Sequence, residues 1–198
     1  MTNHTEVIQQ MIEANHGFVT ATQVTAAGIP RRCLTAMVDA GLIYKVARGV
    51  YALPEVWEDE LYILQYRFAK GIFSHETALY LHSMTDRTPL SYTMTFPFGY
   101  NITDIKQHGV IPRLATTNNY DLGITDVNSA CNQLLKAYDI ERTLCDILKE
   151  KHAGDIQVIN QAMKLYTKSK SKDLAKLLRY AEQLRVKPKI LSYMEILL

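Results

Sequence analysis

Four polar residues, Glu141, Arg142, Thr143 and Asp146, place acid, base and hydroxyl groups close together near the start of a candidate helix. Such a group could carry general acid–base chemistry. Helix capping and i,i+4 pairing require the same residue types, here with Arg142 opposite Asp146. We therefore favour a structural role and predict no catalytic residue. A nuclease or nucleotidyltransferase that uses Glu141 and Asp146 stays open as an alternative.

Two histidines, His75 and His82, lie seven residues apart in a segment with helical spacing. A zinc site needs histidines at i and i+4 with a further ligand, and the H-E-x-x-H string is missing. We predict no metal site and expect these histidines to hydrogen-bond a neighbouring element. A second alternative is a small-ligand pocket lined by His75, His82, Tyr80 and Arg87, which would make the chain a ligand-sensing regulator.

The nine glycines exclude the common nucleotide-binding and hydrolase signatures. No two of them lie two residues apart, and neither G-K-[ST] nor G-x-S-x-G occurs. The sequence therefore predicts no cofactor and no enzyme.

Composition and cysteine usage predict a cytoplasmic chain. The 198 residues are 47% apolar, which is enough for one or two domains with their own cores. The three cysteines show no C-x-x-C pair, which favours a reducing compartment. No stretch approaches the roughly 18 apolar residues of a membrane span, and the N-terminus does not resemble a signal peptide.

The first 55 residues have the element order of a winged helix-turn-helix. A helix stopped by Gly17 is followed by a short one that begins with a Thr20–Gln23 capping box. A third helix is predicted from Pro30 to Ala40. Two β-rich runs, 42–46 and 50–53, then form a hairpin around residues 47–49. We assign residues 1–55 to a DNA-binding domain.

The basic residues of this domain lie in the third helix and the hairpin. Arg31, Arg32 and Thr35 lie near the start of the helix, where a recognition helix contacts bases. Lys45 and Arg48 lie at the hairpin tip. Because Arg grips guanine at two points while wing cations meet phosphate or the minor groove, we expect Arg31 or Arg32 to specify and Lys45 and Arg48 to anchor.

Residues 56–198 mix helix and strand patterns, which predicts an α+β chain. Strand candidates are 91–96, 109–111, 114–116, 124–127 and 134–138. Helix candidates are 61–68, 74–82, 141–148, 156–166, 174–184 and 188–198. We expect a mixed α/β domain that ends in a helical bundle.

The C-terminal helices carry most of the positive charge. Residues 168–189 hold eight Lys or Arg against two acidic residues, and we expect them on the outer helix faces. Acidic protein, DNA and RNA are all possible partners for such a surface. The residues are Lys168, Lys170, Lys172, Lys176, Arg179, Arg185, Lys187 and Lys189.

Three motifs in this order resemble the AbiEi family of antitoxins over nearly the whole chain. They are GIPRRCLTAMVDAGLIYKVARGVYAL at 28–53, FSHETALYLHSMTDRTP at 73–89 and YDIERTLCDIL at 138–148. The resemblance implies an N-terminal winged helix that represses its own operon by binding inverted repeats as two copies. It also implies a C-terminal domain that counters a nucleotidyltransferase toxin in a type IV system of phage defence (abortive infection), where a stable complex with the toxin is not required.

The antitoxic activity is assigned by hypothesis to the basic C-terminal helices. They form the largest feature that core packing does not explain. The resemblance carries the five candidate DNA contacts over by position, as Arg31, Arg32, Thr35, Lys45 and Arg48.

Overall fold

The structure is a computed structural model that describes residues 4–149 and 155–197 of the chain. These residues form two compact units. The first comprises the chain up to Arg67 together with Asn128–Leu134, and the second comprises Phe68–Val127 and the chain from Leu135 onward. Helices and strands are mixed, so the predicted combination of α and β structure is confirmed at that level.

The first unit has helices and a small sheet around one apolar core. Its elements are α1 (His4–Ala14), β1 (Phe18–Thr20), α2 (Ala21–Ala26), α3 (Arg32–Asp39), β2 (Tyr44–Ala47), β3 (Val50–Ala52) and α4 (Glu60–Arg67). The core joins Ile8 and Ile12 of α1 to Val24 of α2 and to Leu34 and Met37 of α3, all of them buried.

The start of α2 has the predicted capping box. Thr20 Oγ1 accepts the backbone N–H of Gln23 at 3.2 Å. The Gln23 side chain in turn accepts the N–H of Thr20 at 2.8 Å. Two of the unpaired amides at the helix start are thereby satisfied.

Helix α3 begins at Arg32, two residues later than the predicted start at Pro30. The amides of Cys33 and Leu34 bond to the carbonyls of Pro30 and Arg31, three residues back. This first turn is therefore of the tighter 3₁₀ kind, and the α pattern begins only after it.

The hairpin belongs to a sheet of three strands, in the order β1–β3–β2. β2 and β3 are antiparallel, with a bulge between Lys45 and Ala47, and the turn places Gly49 at φ +83°. The third strand, β1, pairs with β3 through Val19 opposite Tyr51. The sequence did not predict β1, because three residues are too short for a visible alternation.

The first unit extends beyond the 1–55 segment. Tyr62 and Tyr66 of α4 pack on the buried side chains of Phe18, Val50 and Ala52. The rings of Phe18 and Tyr62 meet edge to face, with centroids 5.5 Å apart. α4 was assigned to the second domain by the sequence, whereas its aromatic residues cover the sheet of the first unit.

The second unit is built on a five-stranded sheet with the order β6–β5–β4–β8–β7. β4 is antiparallel to β5 and parallel to β8, and β5 is parallel to β6. Its elements are β4 (Ile72–Phe73), α5 (His75–Leu81), β5 (Tyr92–Pro97), a 3₁₀ turn (Ile105–His108), β6 (Val110–Ala115), α6 (Thr117–Tyr120), β7 (Ile124–Asn128), β8 (Leu134–Tyr138), α7 (Ile140–Lys149), α8 (Ile156–Lys168), α9 (Leu174–Gln183) and α10 (Lys187–Leu197).

Two of the predicted strands, 109–111 and 114–116, are a single strand, β6. The prediction left residues 112 and 113 out of both strands, and Pro112 cannot donate to a sheet ladder. β6 lies at the edge of the sheet beside β5, so the missing donor at Pro112 can be tolerated.

Helices α7 to α10 share one core in the second unit. Leu144 of α7, Met163 and Tyr166 of α8, Leu177 of α9 and Ile190 of α10 are all buried in it. Within the described residues, no helix is long and apolar enough to cross a membrane.

Candidate nucleic-acid interface

The turn of the hairpin is fastened to the start of α2. The carbonyl of Gly49 accepts the N–H of Ala21 at 2.8 Å. A Cβ placed on Gly49 would lie 3.0 Å from the Tyr66 hydroxyl. The hairpin turn, the start of α2 and the end of α4 are therefore in close contact.

A side-chain hydrogen bond holds Arg31, which lies just before α3. Its Nε donates to Thr25 Oγ1 on α2 at 2.9 Å. This bond uses one of the five guanidinium N–H groups and leaves the terminal nitrogens for other partners.

Arg31 and Arg48 line the same cleft of about 300 Å³. The third arginine in its wall is Arg67, the last residue of α4. The remaining lining residues are Ala21, Ala47, Gly49, Ile63 and Tyr66, so no carboxylate faces the cleft. Three cations around an apolar floor give a site that favours an anion.

The other predicted DNA contacts lie outside this cleft and are exposed. Arg32 and Thr35 are three residues apart on α3, which places them on one helix face, opposite the buried Leu34 and Met37. Lys45 is an exposed residue of β2. The predicted set therefore divides into a cleft pair, Arg31 and Arg48, and three outward residues.

Tyr66 and Arg67 were not among the predicted site residues. The Tyr66 hydroxyl lies 3.1 Å from Thr22 Oγ1 and so joins α4 to α2. An Arg after a helical apolar run was the only signal in the sequence. The position of Arg67 in the site depends on the packing of α4 against the hairpin turn at Gly49, which lies 18 residues earlier in the chain.

The basic residues of the C-terminal helices are not one continuous set of outer-face cations. Lys176 is half-buried, and its Nζ lies 3.0 Å from Asp139 Oδ2 and 2.9 Å from Glu141 Oε2. Burial alone would lower the pKa of Lys176, but hydrogen bonds to Glu141 and Asp139 outweigh it and hold this pKa above its usual value. The prediction that Lys176 decorates the outer face is wrong, because the buried carboxylate of Glu141 needs a cation beside it.

Several others make local bonds. Lys172, also half-buried, donates to the carbonyl of Thr167 at 2.8 Å. Lys187 pairs with Glu182 at 2.5 Å, and Lys189 donates to the carbonyl of Leu148 at 2.5 Å. The exposed members of the set are Lys168, Lys170, Arg179, Arg185, Lys187 and Lys189.

The polar group on α7 is buried and internally paired. Arg142 Nε donates to both carboxylate oxygens of Asp146 at 3.0 Å, and both side chains are almost fully buried. The Nη1 of Arg142 donates to the carbonyls of Asn119 and Leu122. These contacts satisfy the guanidinium from inside the unit, in keeping with the structural role that the sequence favoured.

A separate cleft of about 420 Å³ lies in the second unit. His75 and Arg87 line it, whereas Tyr80 and His82 do not, so the four-residue ligand pocket is not assembled as predicted. His82 Nε2 instead lies 2.8 Å from the carbonyl oxygen of Tyr138. Arg87 is paired with Asp155, and Glu76 and Asp155 bring two carboxylates to this wall. Among the residues that the structure describes, no cluster of three metal-ligating side chains occurs.

The fold is similar to that of a solved mycobacterial protein. That structure is the "Crystal structure of RV2827C protein from Mycobacterium tuberculosis", with a TM-score of 0.57 and 16% sequence identity. The match covers 89% of this chain and 70% of that one. At this identity the likeness concerns the fold alone.

Residues 6–54 match the family model described as "Transcriptional regulator, AbiEi antitoxin". The resemblance to the AbiEi antitoxins is therefore confirmed over the N-terminal segment that contains α1 to β3. No curated protein matches the chain.

Proposed function

We propose that this chain is an antitoxin that represses its own operon. The N-terminal unit acts as a winged helix-turn-helix, with α3 as recognition helix and the β2–β3 hairpin as wing. Two copies bind inverted repeats upstream of the operon, in the cytoplasm. The family match over residues 6–54 supports the regulatory role, and the observation that carries the proposal is the cleft that Arg31 and Arg48 share without a carboxylate.

We propose different tasks for the DNA contacts on the basis of their positions. Arg31 and Arg48, which face one cleft, are suited to backbone phosphate. Arg32 and Thr35, exposed on the outer face of α3, are suited to base edges in the major groove. Lys45 adds a backbone contact from β2. The sequence left Arg31 and Arg32 as alternatives for reading the bases. Because Arg31 lines the cleft with Arg48, we assign base specificity to Arg32.

Binding to two duplexes tests this division. The purified chain is titrated onto DNA from immediately upstream of its own gene and onto a scrambled duplex. Arg32→Ala should lower the preference for the native sequence by roughly tenfold or more, which is the discrimination expected of one bidentate base contact. Arg48→Ala should weaken both duplexes alike. The assignment fails if Arg48→Ala changes the preference and Arg32→Ala does not.

For the second unit we propose the antitoxic activity, directed at a nucleotidyltransferase toxin of a type IV phage-defence system, for which a stable complex with the toxin is not required. The candidate surface consists of the exposed cations of the C-terminal helices. We choose Lys168 and Lys170 from this set for the test. Lys168→Glu/Lys170→Glu should abolish rescue from the co-expressed toxin and leave repression intact. Lys106→Glu, an exposed lysine in the 3₁₀ turn, is the matched control. Full rescue by the folded double variant would refute the surface.

A further inference from the structure

The cleft of the first unit contains a residue from outside the segment that matches the regulator family. Arg31 and Arg48 belong to residues 6–54, whereas Arg67 ends α4. All three arginines line the same cleft, which has a volume of about 300 Å³. The cationic surface of this unit therefore continues onto α4.

The position of α4 beside the hairpin is fixed by specific contacts. Tyr66 bonds to Thr22 through its hydroxyl and lies against the turn at Gly49. Tyr66 also packs on the core of Phe18 and Val50. Arg67 follows Tyr66 directly, so the cleft wall is set by the packing of the unit.

The lining identifies the class of ligand. Arginine presents a planar fork of donors that matches phosphate geometry, and several forks around one concave site favour a multiply accepting anion. The remaining lining residues are Ala21, Ala47, Gly49, Ile63 and Tyr66, so no carboxylate lines the cleft beside these arginines. The cleft of the second unit differs, because Glu76 and Asp155 stand beside its two arginines.

We infer that Arg31, Arg48 and Arg67 form one binding site for a backbone phosphate of duplex DNA, which makes the end of α4 part of the interface. The inference rests on the proposed function, because duplex DNA supplies the phosphate. A site of this kind adds affinity without sequence preference. Arg67 thus anchors beside the wing, while Arg32 remains the base-contacting arginine.

Neutralising Arg67 is the direct test. Arg67→Gln should weaken binding to the native and the scrambled duplex alike, by roughly fivefold per copy at 0.15 M salt, which is the counterion-release value of one phosphate. Lys106→Gln removes one positive charge from an exposed position of the second unit and should leave both affinities unchanged. Arg67→Lys keeps the charge and should recover most of the loss.

A double variant tests whether the arginines share one phosphate. If they do, Arg48→Gln/Arg67→Gln should lose less affinity than the product of the two single losses. A native duplex with single phosphates replaced by neutral methylphosphonates gives the complementary result. At one position the substitution should weaken the wild type and have little further effect on Arg67→Gln.

The outcomes separate the two proposals. Wild-type affinity retained by Arg67→Gln, or multiplicative losses in the double variant, would overturn the shared site while leaving DNA binding intact. A wild-type chain that binds neither duplex would overturn the proposed function and the shared site together. A loss in Arg67→Gln seen on duplex RNA but not on duplex DNA would assign the cleft to a different nucleic acid and also overturn the inference.

Discussion

Lys176 on α9 and Glu141 on α7 form an ion pair of 2.9 Å in which the carboxylate side chain is only 8% exposed. Tyr166 also donates its hydroxyl to Glu141, at 3.2 Å. A lysine that looks like a surface charge in sequence is thus part of the polar contacts that join α7, α8 and α9.

Removing this lysine should destabilise the protein. Lys176→Met leaves Glu141 and the partly buried Asp139 without their cation, and we expect a loss of about 2 kcal/mol in the free energy of unfolding. Lys168→Met, at an exposed position, should change it by less than about 0.5 kcal/mol. Urea denaturation of the three proteins measures both values, and equal stability of the two variants would contradict the structural role of Lys176.

The Arg142–Asp146 pair should be energetically coupled. Arg142→Met removes the guanidinium from beside the buried carboxylate of Asp146 and should cost about 3–5 kcal/mol. Asp146→Leu alone leaves the guanidinium with the carbonyl oxygens of Asn119 and Leu122 and the ring of Tyr138 but no carboxylate. The double variant should be more stable than the sum of the two single losses predicts, because it buries neither charge. Additive losses in urea denaturation would argue against the pairing.

Acid should destabilise the second unit through His75. Burial and the nearby cations Arg113, Arg142 and Lys149 lower the pKa of His75 to about 3. In the unfolded chain the imidazole of His75 binds a proton near pH 6.5, whereas in the folded chain it stays neutral down to about pH 3. The neutral imidazole therefore contributes its full stability above pH 6.5, and that contribution falls as pH drops through this window.

The slope of that loss can be measured. His75 alone predicts up to about 1.4 kcal/mol per pH unit between pH 6 and pH 5. His75→Asn is the matched variant, because asparagine tolerates the positive φ of 55° at this position. We expect the unfolding free energy of the variant to fall less steeply over that interval. Parallel curves for the two proteins would show that His75 titrates normally.

Two glycines with positive φ should differ in how they tolerate alanine. A Cβ on Gly17 would lie 2.3 Å from Cγ2 of Val56, whereas a Cβ on Gly28 would meet nothing within 4 Å. Gly28→Ala should cost about 1 kcal/mol from backbone strain, and Gly17→Ala about 1–3 kcal/mol more from the clash. Thermal unfolding of both variants provides the comparison, in which similar melting temperatures would contradict the close approach.

Local features of the fold were predictable from sequence because their causes lie within a few residues. Asp139 and Asp155 begin α7 and α8 by accepting the amides of Arg142 and Gln157 at 2.8 Å, which is the usual role of an aspartate before a helix. Features that depend on distant partners were missed. Strand β1 needs β3 beside it, and β6 continues through Pro112 because the strand lies at an edge.

The candidate site shows the same division. The cations Arg31 and Arg48 could be identified from their place in the helix and the hairpin. Their convergence with Arg67 could not, because it depends on α4 packing against the hairpin turn through Tyr66. The burial of Lys176 likewise follows from contacts between α9 and α7, which sequence charge counts do not contain.

The N-terminal unit is proposed to bind the DNA upstream of its own gene through cationic contacts. The most direct test is a salt series of wild-type binding to that duplex and to a scrambled control. Two neutralised phosphates per copy, one at Lys45 and one in the cleft of Arg31 and Arg48, predict a log–log slope of about −1.8, or about −3.6 for two copies on a repeat. Tight two-copy binding to the native duplex with such a slope is the expected result. Equal, weak and salt-insensitive binding to both duplexes would contradict operator binding by this unit.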